Sequence, residues 1–404
     1  MTNRPLAGIR VVELASWTFV PSAGAVLADW GADVIKVEHA ATGDPQRALV
    51  SSGLIPGAGG PNYMVEQPNR GKRSIALDAG TPEGKEVLLQ LVEGADVFLT
   101  NLLPDSCERL GVGVGAIRAR NPNVIYARGH GVGARGPDRD RGGYDQANYW
   151  AQAGIADAFR SREGDYPPFQ RPAFGDILGG QTIAGGIAAA LVQRERTGEA
   201  VVVDVSLLAV GLWNLSPDIV VSGITGAPVP KFDRTDMPSP VTNMYRTADD
   251  RVFFLIYLQA DRHWPDLCEA IERPDLLDDP RFCDAGARFE HRRECIALLE
   301  EIFATQPWSY WQPRLAKYDG VFGLVQTALE VHDDPQVIAN GYLPEVVDSN
   351  GNRYRLVANP VQFDETPPQL GPAPDFGQHT EELLLELGYD WDRIIELKVA
   401  GAVN

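Results

Sequence analysis

Two periodicities alternate along the first half of the chain. Apolar runs of five to seven residues at 8–14, 33–38, 73–78, 96–100 and 123–127 are rich in Val, Ile, Leu, Phe and Ala. Short continuous runs of this kind predict strands buried on both faces. Between them, 22–30 and the stretch opening at Thr81-Pro82 read as helices, with Thr81 as cap and Pro82 at the first helical position. Strands separated by such helices predict parallel pairing in a doubly wound α/β sheet. Two more helices are expected, over 181–195 and 206–221.

The pattern then changes. Residues 223–243 are rich in Pro, Gly, Asp and Ser and read as a linker that ends a large domain at 1–222. A smaller α+β domain is expected over 244–325. It opens with a hairpin, Met244 to Thr247 and 252–258, and continues with helices near 263–271, 288–304 and 309–317. Residues 326–404 return to the large domain. Within them a second hairpin is signalled by Asn350-Gly351, and two short helices are expected at 381–387 and 390–398.

Composition narrows the function classes. The chain has 404 residues, 44% hydrophobic and 23% charged, enough for a sizeable core. A formal charge of −19 repels nucleic acid and anionic membranes, so neither is expected as a partner. No stretch reads as long or apolar enough to span a membrane, and the first residues lack a signal-peptide core, so a cytoplasmic location is expected. Cys107, Cys268, Cys283 and Cys295 are scattered and read as reduced thiols; no metal site is expected.

The candidate chemistry centres on Asp176, in Arg171-Pro-Ala-Phe-Gly-Asp-Ile-Leu-Gly-Gly180. Glycines on both sides permit close approach of a ligand. The apolar run behind it predicts that Asp176 lies near a helix N-terminus, which favours negative charge. From this segment alone the simpler reading is an N-cap that only starts the helix.

Seven segments taken in order resemble the family III CoA-transferases, which include formyl-CoA transferase and alpha-methylacyl-CoA racemase. They are Pro5-Leu-Ala-Gly-Ile-Arg-Val-Val-Glu-Leu14, the run from Pro21 to Glu38, Asn69-Arg-Gly-Lys-Arg-Ser-Ile-Ala-Leu-Asp78 and the run from Asn101 to Gly111. Gly142-Gly-Tyr-Asp145, Phe174-Gly-Asp-Ile-Leu-Gly-Gly180 and Asp204-Val-Ser-Leu-Leu208 complete the series. The resemblance implies a Rossmann-like large domain formed by both chain ends, a smaller inserted domain, and two subunits interlocked as a homodimer. It implies an acyl-CoA:carboxylate CoA-transferase whose substrates are acyl-CoA and a carboxylic acid. Asp176 stands at the family's nucleophile, which carries first an anhydride and then a CoA thioester.

Further roles follow from the same resemblance. Gly179 and Gly180 would supply backbone N–H groups to the oxyanions. Thr18, His39, Lys72, Arg73, Asn101, Arg109 and Tyr144 would contact CoA or line the site. Thr18 replaces the glutamine of formyl-CoA transferase, which argues against oxalate or formate. The racemase branch has a histidine where this chain has Tyr144, a poor base at neutral pH. A racemase or an intramolecular CoA transferase therefore stands as the alternative, and a non-catalytic CoA-binding protein as a remote one. Read from the residues themselves, Asp145 is structural and His130 a turn residue, and Arg171, a few positions before Asp176, is either a partner for the second carboxylate of a dicarboxylic acyl group or a surface charge.

Overall fold

The structure is a computed structural model and describes residues 4–57, 59–162 and 164–404. The start of the N-terminal segment, residues 1–3, therefore lies outside the described residues. The chain forms two compact units. The first gathers the residues up to Ala158, Pro168–Gly226 and Pro335–Asn404; the second holds Phe159–Pro167 and Ala227–Asp334.

The first unit is built on six parallel strands: β1 (Arg10–Leu14), β2 (Asp33–Glu38), β3 (Arg73–Ala76), β4 (Val97–Thr100), β5 (Ile125–His130) and β6 (Val202–Ser206). Their spatial order is β3-β2-β1-β4-β5-β6. Alternate residues feed opposite faces. Val11, Val34, Val97, Leu99, Ile125 and Ala127 enter one core; Val12, Ile35, Val37, Phe98 and Tyr126 enter the other. Both faces are covered, which is why the strands are mostly apolar.

Helix α1 (Phe19–Asp29) follows β1 and lies on the first face, where it packs along α2 (Phe174–Thr197). The predicted start of α2 at 181 is corrected to 174, so Asp176 lies inside the helix. The helix expected over 206–221 is also corrected. Val202–Ser206 forms β6, and Leu207–Asn214 and Ser216–Thr225 are separate helices bent by 73°. Polar Asp204 and the edge position of β6 had hidden this strand. Against the sequence expectation, α2 is long and apolar enough to cross a membrane. Its buried face, with Ile183, Ala184, Ile187, Ala190 and Leu191, belongs to the core.

The C-terminal segment returns to the β3 edge. His379 donates its N–H to the Ser74 carbonyl, and Ala76 donates to the Thr380 hydroxyl. In the second unit, β7 (Thr242–Arg246), β8 (Val252–Ile256) and β9 (Phe322–Leu324) form an antiparallel sheet over Tyr245, Phe253, Phe303 and Trp308. The second hairpin, β10 (Glu345–Val347) with β11 (Arg353–Arg355), lies in the first unit.

Candidate active site

The order of the sheet reverses between β1 and β4. Ligands of doubly wound sheets bind in the crevice at the carboxyl ends of the strands flanking such a point. Two helices open there. α1 leaves β1, and α2 is the crossover between β5 and β6, so both run against the strands and both begin at the carboxyl edge. Small residues let them touch. A Cβ on Gly179 would lie 2.3 Å from the Phe19 ring, and one on Gly180 would lie 2.5 Å from Ser22 Cβ.

This contact gives the two glycines a packing role. Both sit in the second turn of α2, where N–H groups are committed to carbonyls four residues back. They bring α1 and α2 together.

Asp176 is the third residue of α2 and not its cap. The cap position is Ala173, held at φ 62° without a side-chain bond. The N-terminal amides turn instead to Asp145. Its Oδ2 accepts from Gly175 N at 3.3 Å and from the Gln170 side-chain amide, and its charged form is further favoured by the Gln146 and Asp176 N–H groups. Burial nevertheless raises the Asp145 pKa above the ordinary carboxylate value. Asp145 thus takes the stabilisation that a helix N-terminus offers to an anion. Asp176 is half-buried and lacks that compensation. Desolvation, and then repulsion from Asp145, push its carboxyl up to about 8. Gly175 admits this packing, since a Cβ there would meet the Tyr149 ring at 2.5 Å.

The other expected site residues divide into two groups. Thr18 caps the start of α1, is buried, and accepts from Gln46 Nε2 at 2.9 Å. Asn101 follows β4 and clamps Ser16, accepting its N–H at 3.1 Å and donating to its carbonyl at 2.7 Å. Tyr144 is exposed, with its ring edge-on to Trp17 at 6.0 Å. Arg109 is exposed on Pro104–Leu110 and donates to the neutral Ser106 hydroxyl at 3.2 Å. His39 follows β2, is exposed, and has Nε2 3.9 Å from Asp78. All of these follow strands or open helices on the carboxyl side of the sheet, or touch residues that do.

Lys72 and Arg73 belong elsewhere. Lys72 Nζ is fully buried and saturated, with both Glu13 oxygens and the Pro21 carbonyl at 2.8 Å and Asn69 Oδ1 at 3.2 Å. Burial lowers its pKa to about 8. Arg73 begins β3, at the edge of the sheet opposite Asn101. It bonds Asp33, Glu382 and Glu386, and those carboxylates hold its pKa above the usual value against burial. Neither cation is free to meet a phosphate in this arrangement. The acidic partners of Lys72 and Arg73 are distant in sequence, so the Gly-Lys-Arg turn gave no sign of them.

His130 ends β5 and is not in a turn; its side chain is buried with Nε2 3.4 Å from Asp204. It shares the strand face of Tyr126, opposite the face carrying α1 and α2. His130 and Arg128 hold the Asp204 carboxyl well below the usual carboxylate range. Arg171 is exposed. Among the described residues no group of three or more His, Cys, Asp or Glu is placed to hold a metal ion.

Sequence reasoning missed the buried ion network beside the site. Lys36 Nζ lies 2.8 Å from Asp44 and 3.5 Å from Glu13, and Glu38 pairs with Arg47 at 2.7 Å. The signal was present: Glu13 and Lys36 interrupt strands that are otherwise apolar, and in register they are direct neighbours.

The model of CoA-transferase family III matches residues 6–380. The chain is 30% identical to (R)-2-hydroxy-4-methylpentanoate CoA-transferase of Clostridioides difficile, over 99% of each chain. It is 32% identical to succinate–glutarate CoA-transferase of Agrobacterium fabrum, over 96% of this chain and 97% of that one. The crystal structure of a CAIB/BAIF family protein from Brucella suis matches with a TM-score of 0.79 at 30% identity, covering 96% of this chain and all of that one. This chain belongs to CoA-transferase family III, whose members move CoA between acyl groups and carboxylates.

Proposed function

We propose that the protein transfers CoA from an acyl-CoA to a carboxylic acid by covalent catalysis at Asp176. The carboxylate attacks the thioester carbonyl, the C–S bond breaks, and CoA leaves as thiolate. The thiolate attacks the Asp176 carbonyl of the resulting anhydride and releases the donor acid, leaving an aspartyl-CoA thioester. The acceptor carboxylate then expels CoA to form a second anhydride. Thiolate attack on the acceptor carbonyl gives the new acyl-CoA and restores Asp176.

The observation that carries this reading is the placement of Asp176. It lies at the opening of α2 on the carboxyl edge, and its neighbour Asp145 absorbs the local N–H groups. A carboxylate left unstabilised is more basic and more nucleophilic once ionised. Trapping tests it: incubation with succinyl-CoA followed by borohydride should convert the thioester to an alcohol at residue 176. A peptide map with no change at 176 across a panel of acyl-CoA donors defeats the mechanism.

The ionised form is the nucleophile, so activity follows it with a definite sign. The kcat/KM for the acyl-CoA should rise with pH through an apparent pKa near 8, well above the ordinary carboxylate range. A profile flat from pH 5 to 9 contradicts the reading. Because Asp145 and Asp176 interact, that apparent pKa belongs to the pair.

Arg109 is assigned to the CoA phosphates. Arg109→Ala should raise KM for acyl-CoA roughly tenfold or more, the scale of a lost charge-assisted bond, with kcat nearly unchanged. Arg171, close to the nucleophile in sequence, is assigned to dicarboxylic acyl groups, in keeping with the succinate–glutarate relative. The homodimer belongs to the same proposal. Leu212, Trp213, Ile219, Val220, Val221 and Ile224 form exposed apolar surface on two successive helices, which a second copy would cover. Light scattering coupled to gel filtration reads the subunit number.

A further inference from the structure

Three successive residues before α1 are each held by a side chain from another part of the unit. Asn101 grips Ser16 through its N–H and its carbonyl. Asp44 Oδ1 accepts the Trp17 N–H at 3.1 Å and the Gln46 N–H at 2.9 Å. Gln46 Nε2 donates to Thr18 Oγ1 at 2.9 Å and to the Met64 carbonyl at 2.8 Å. The clamp is anchored in turn, since the second Asp44 oxygen lies 2.8 Å from the fully buried Lys36 ammonium.

What the clamp holds is unusual. Trp17 has φ 70°, a left-handed conformation that a bulky residue adopts only when its surroundings impose it. Its half-buried indole meets the exposed Tyr144 ring at an interplanar angle of 83°. Tyr144 is followed by Asp145, which binds the first turn of α2 beside Asp176. Gly179 and Gly180 seat α2 against Phe19 and Ser22 of α1. Asp176 lies one turn before those glycines, toward the end where the 16–18 segment precedes α1.

We propose that Trp17 is a specificity-determining wall of the acyl site and that Asp44 is the positioning residue that sets it. The inference rests on the reading of Asp176 as nucleophile, because that fixes where the acyl carbon sits. Asp44 touches no reacting atom; it acts through the Trp17 backbone. A wall built this way limits the bulk of the acyl group without altering the nucleophile.

The test compares kcat/KM for straight-chain acyl-CoAs from acetyl to octanoyl and for cinnamoyl-CoA, with acetate as acceptor. Trp17→Gly relieves the left-handed constraint and removes the indole. It should raise the ratio of bulky to acetyl donors about tenfold or more, the scale of a pocket contact. Asp44→Ser should shift the ratio in the same direction, whereas Asp44→Asn, which keeps the acceptor oxygen, should restore it. In the Trp17→Gly background, Asp44→Ser should move the ratio no further, because the two act as one unit. A purely structural role for Asp44 would leave the ratio alone in all backgrounds. An unchanged ratio in Trp17→Gly, or full additivity of the two shifts, overturns the proposal. Should Asp44→Ser fail to fold, Trp17→Gly alone decides. Borohydride trapping on each protein separates the two readings: no adduct at 176 in wild type sinks the nucleophile, while an adduct with unchanged ratios sinks the wall.

Discussion

Asp176→Ala is expected to lower CoA transfer by roughly 10⁴-fold or more, the scale of losing a covalent nucleophile. The variant should still bind acyl-CoA, because Arg109 and the clamped segment at 16–18 are untouched. No alcohol should appear at position 176 after borohydride. Residual activity within tenfold of wild type would remove Asp176 from the chemistry. Asp176→Asn gives an independent readout, because the raised pKa is also a statement about stability. The folded chain holds the Asp176 proton more tightly than the unfolded chain does, with a pKa near 8 against 3.8. Stability from this group is therefore complete below pH 4 and is lost as pH rises toward 8, by at most about 1.4 kcal/mol per pH unit. An uncharged asparagine avoids that loss. The variant should melt above wild type at pH 9 and show no advantage at pH 4. A gain of equal size at both pH values would mean that the ionisation of Asp176 carries no strain. Activity exchanged for stability is the common outcome when a destabilised functional group is removed.

Glu13→Ala is expected to destabilise the first unit by about 3–5 kcal/mol, the scale of a broken buried ion pair. Glu13 has zero side-chain exposure, and both of its partners, Lys36 and Lys72, are equally inaccessible. Alanine would leave the two ammonium groups with Asp44 as their nearest remaining carboxylate. Lys72→Met should also weaken folding, but with no change in KM for acyl-CoA in the folded fraction, because Lys72 faces Glu13 and not solvent. A KM rise of tenfold would return Lys72 to the CoA phosphates. The double replacement Glu13→Leu with Lys72→Met should cost less than either single change, since it leaves no unpaired charge in that contact. Chemical denaturation midpoints decide these three cases. Gly24 belongs to the same arrangement, as a Cβ there would lie 1.9 Å from Glu13 Oε2.

The sequence by itself determined the α/β layering and the candidate nucleophile. Five of the six parallel strands were readable because strands covered on both faces are mostly apolar, and the pattern survives the interruptions at Glu13 and Lys36. Both hairpins were readable from turn residues, which act locally. β6 was not, because it lies at an edge where Asp204 interrupts the pattern. Asp176 stood out through its glycines, yet the function of those glycines did not. Whether a glycine offers its N–H to a ligand or admits a neighbouring helix depends on what lies across from it, here Phe19 and Ser22. Basic residues posed the same problem. Lys72 and Arg73 are adjacent in sequence, but one is enclosed beside Glu13 and the other is shared among Asp33, Glu382 and Glu386. A charge is available for binding only if no closer countercharge claims it, and those countercharges come from residues up to 313 positions away. The elevated pKa of Asp176 likewise arises from burial and from Asp145, 31 positions earlier by number, and only the tertiary structure brings the two carboxylates together.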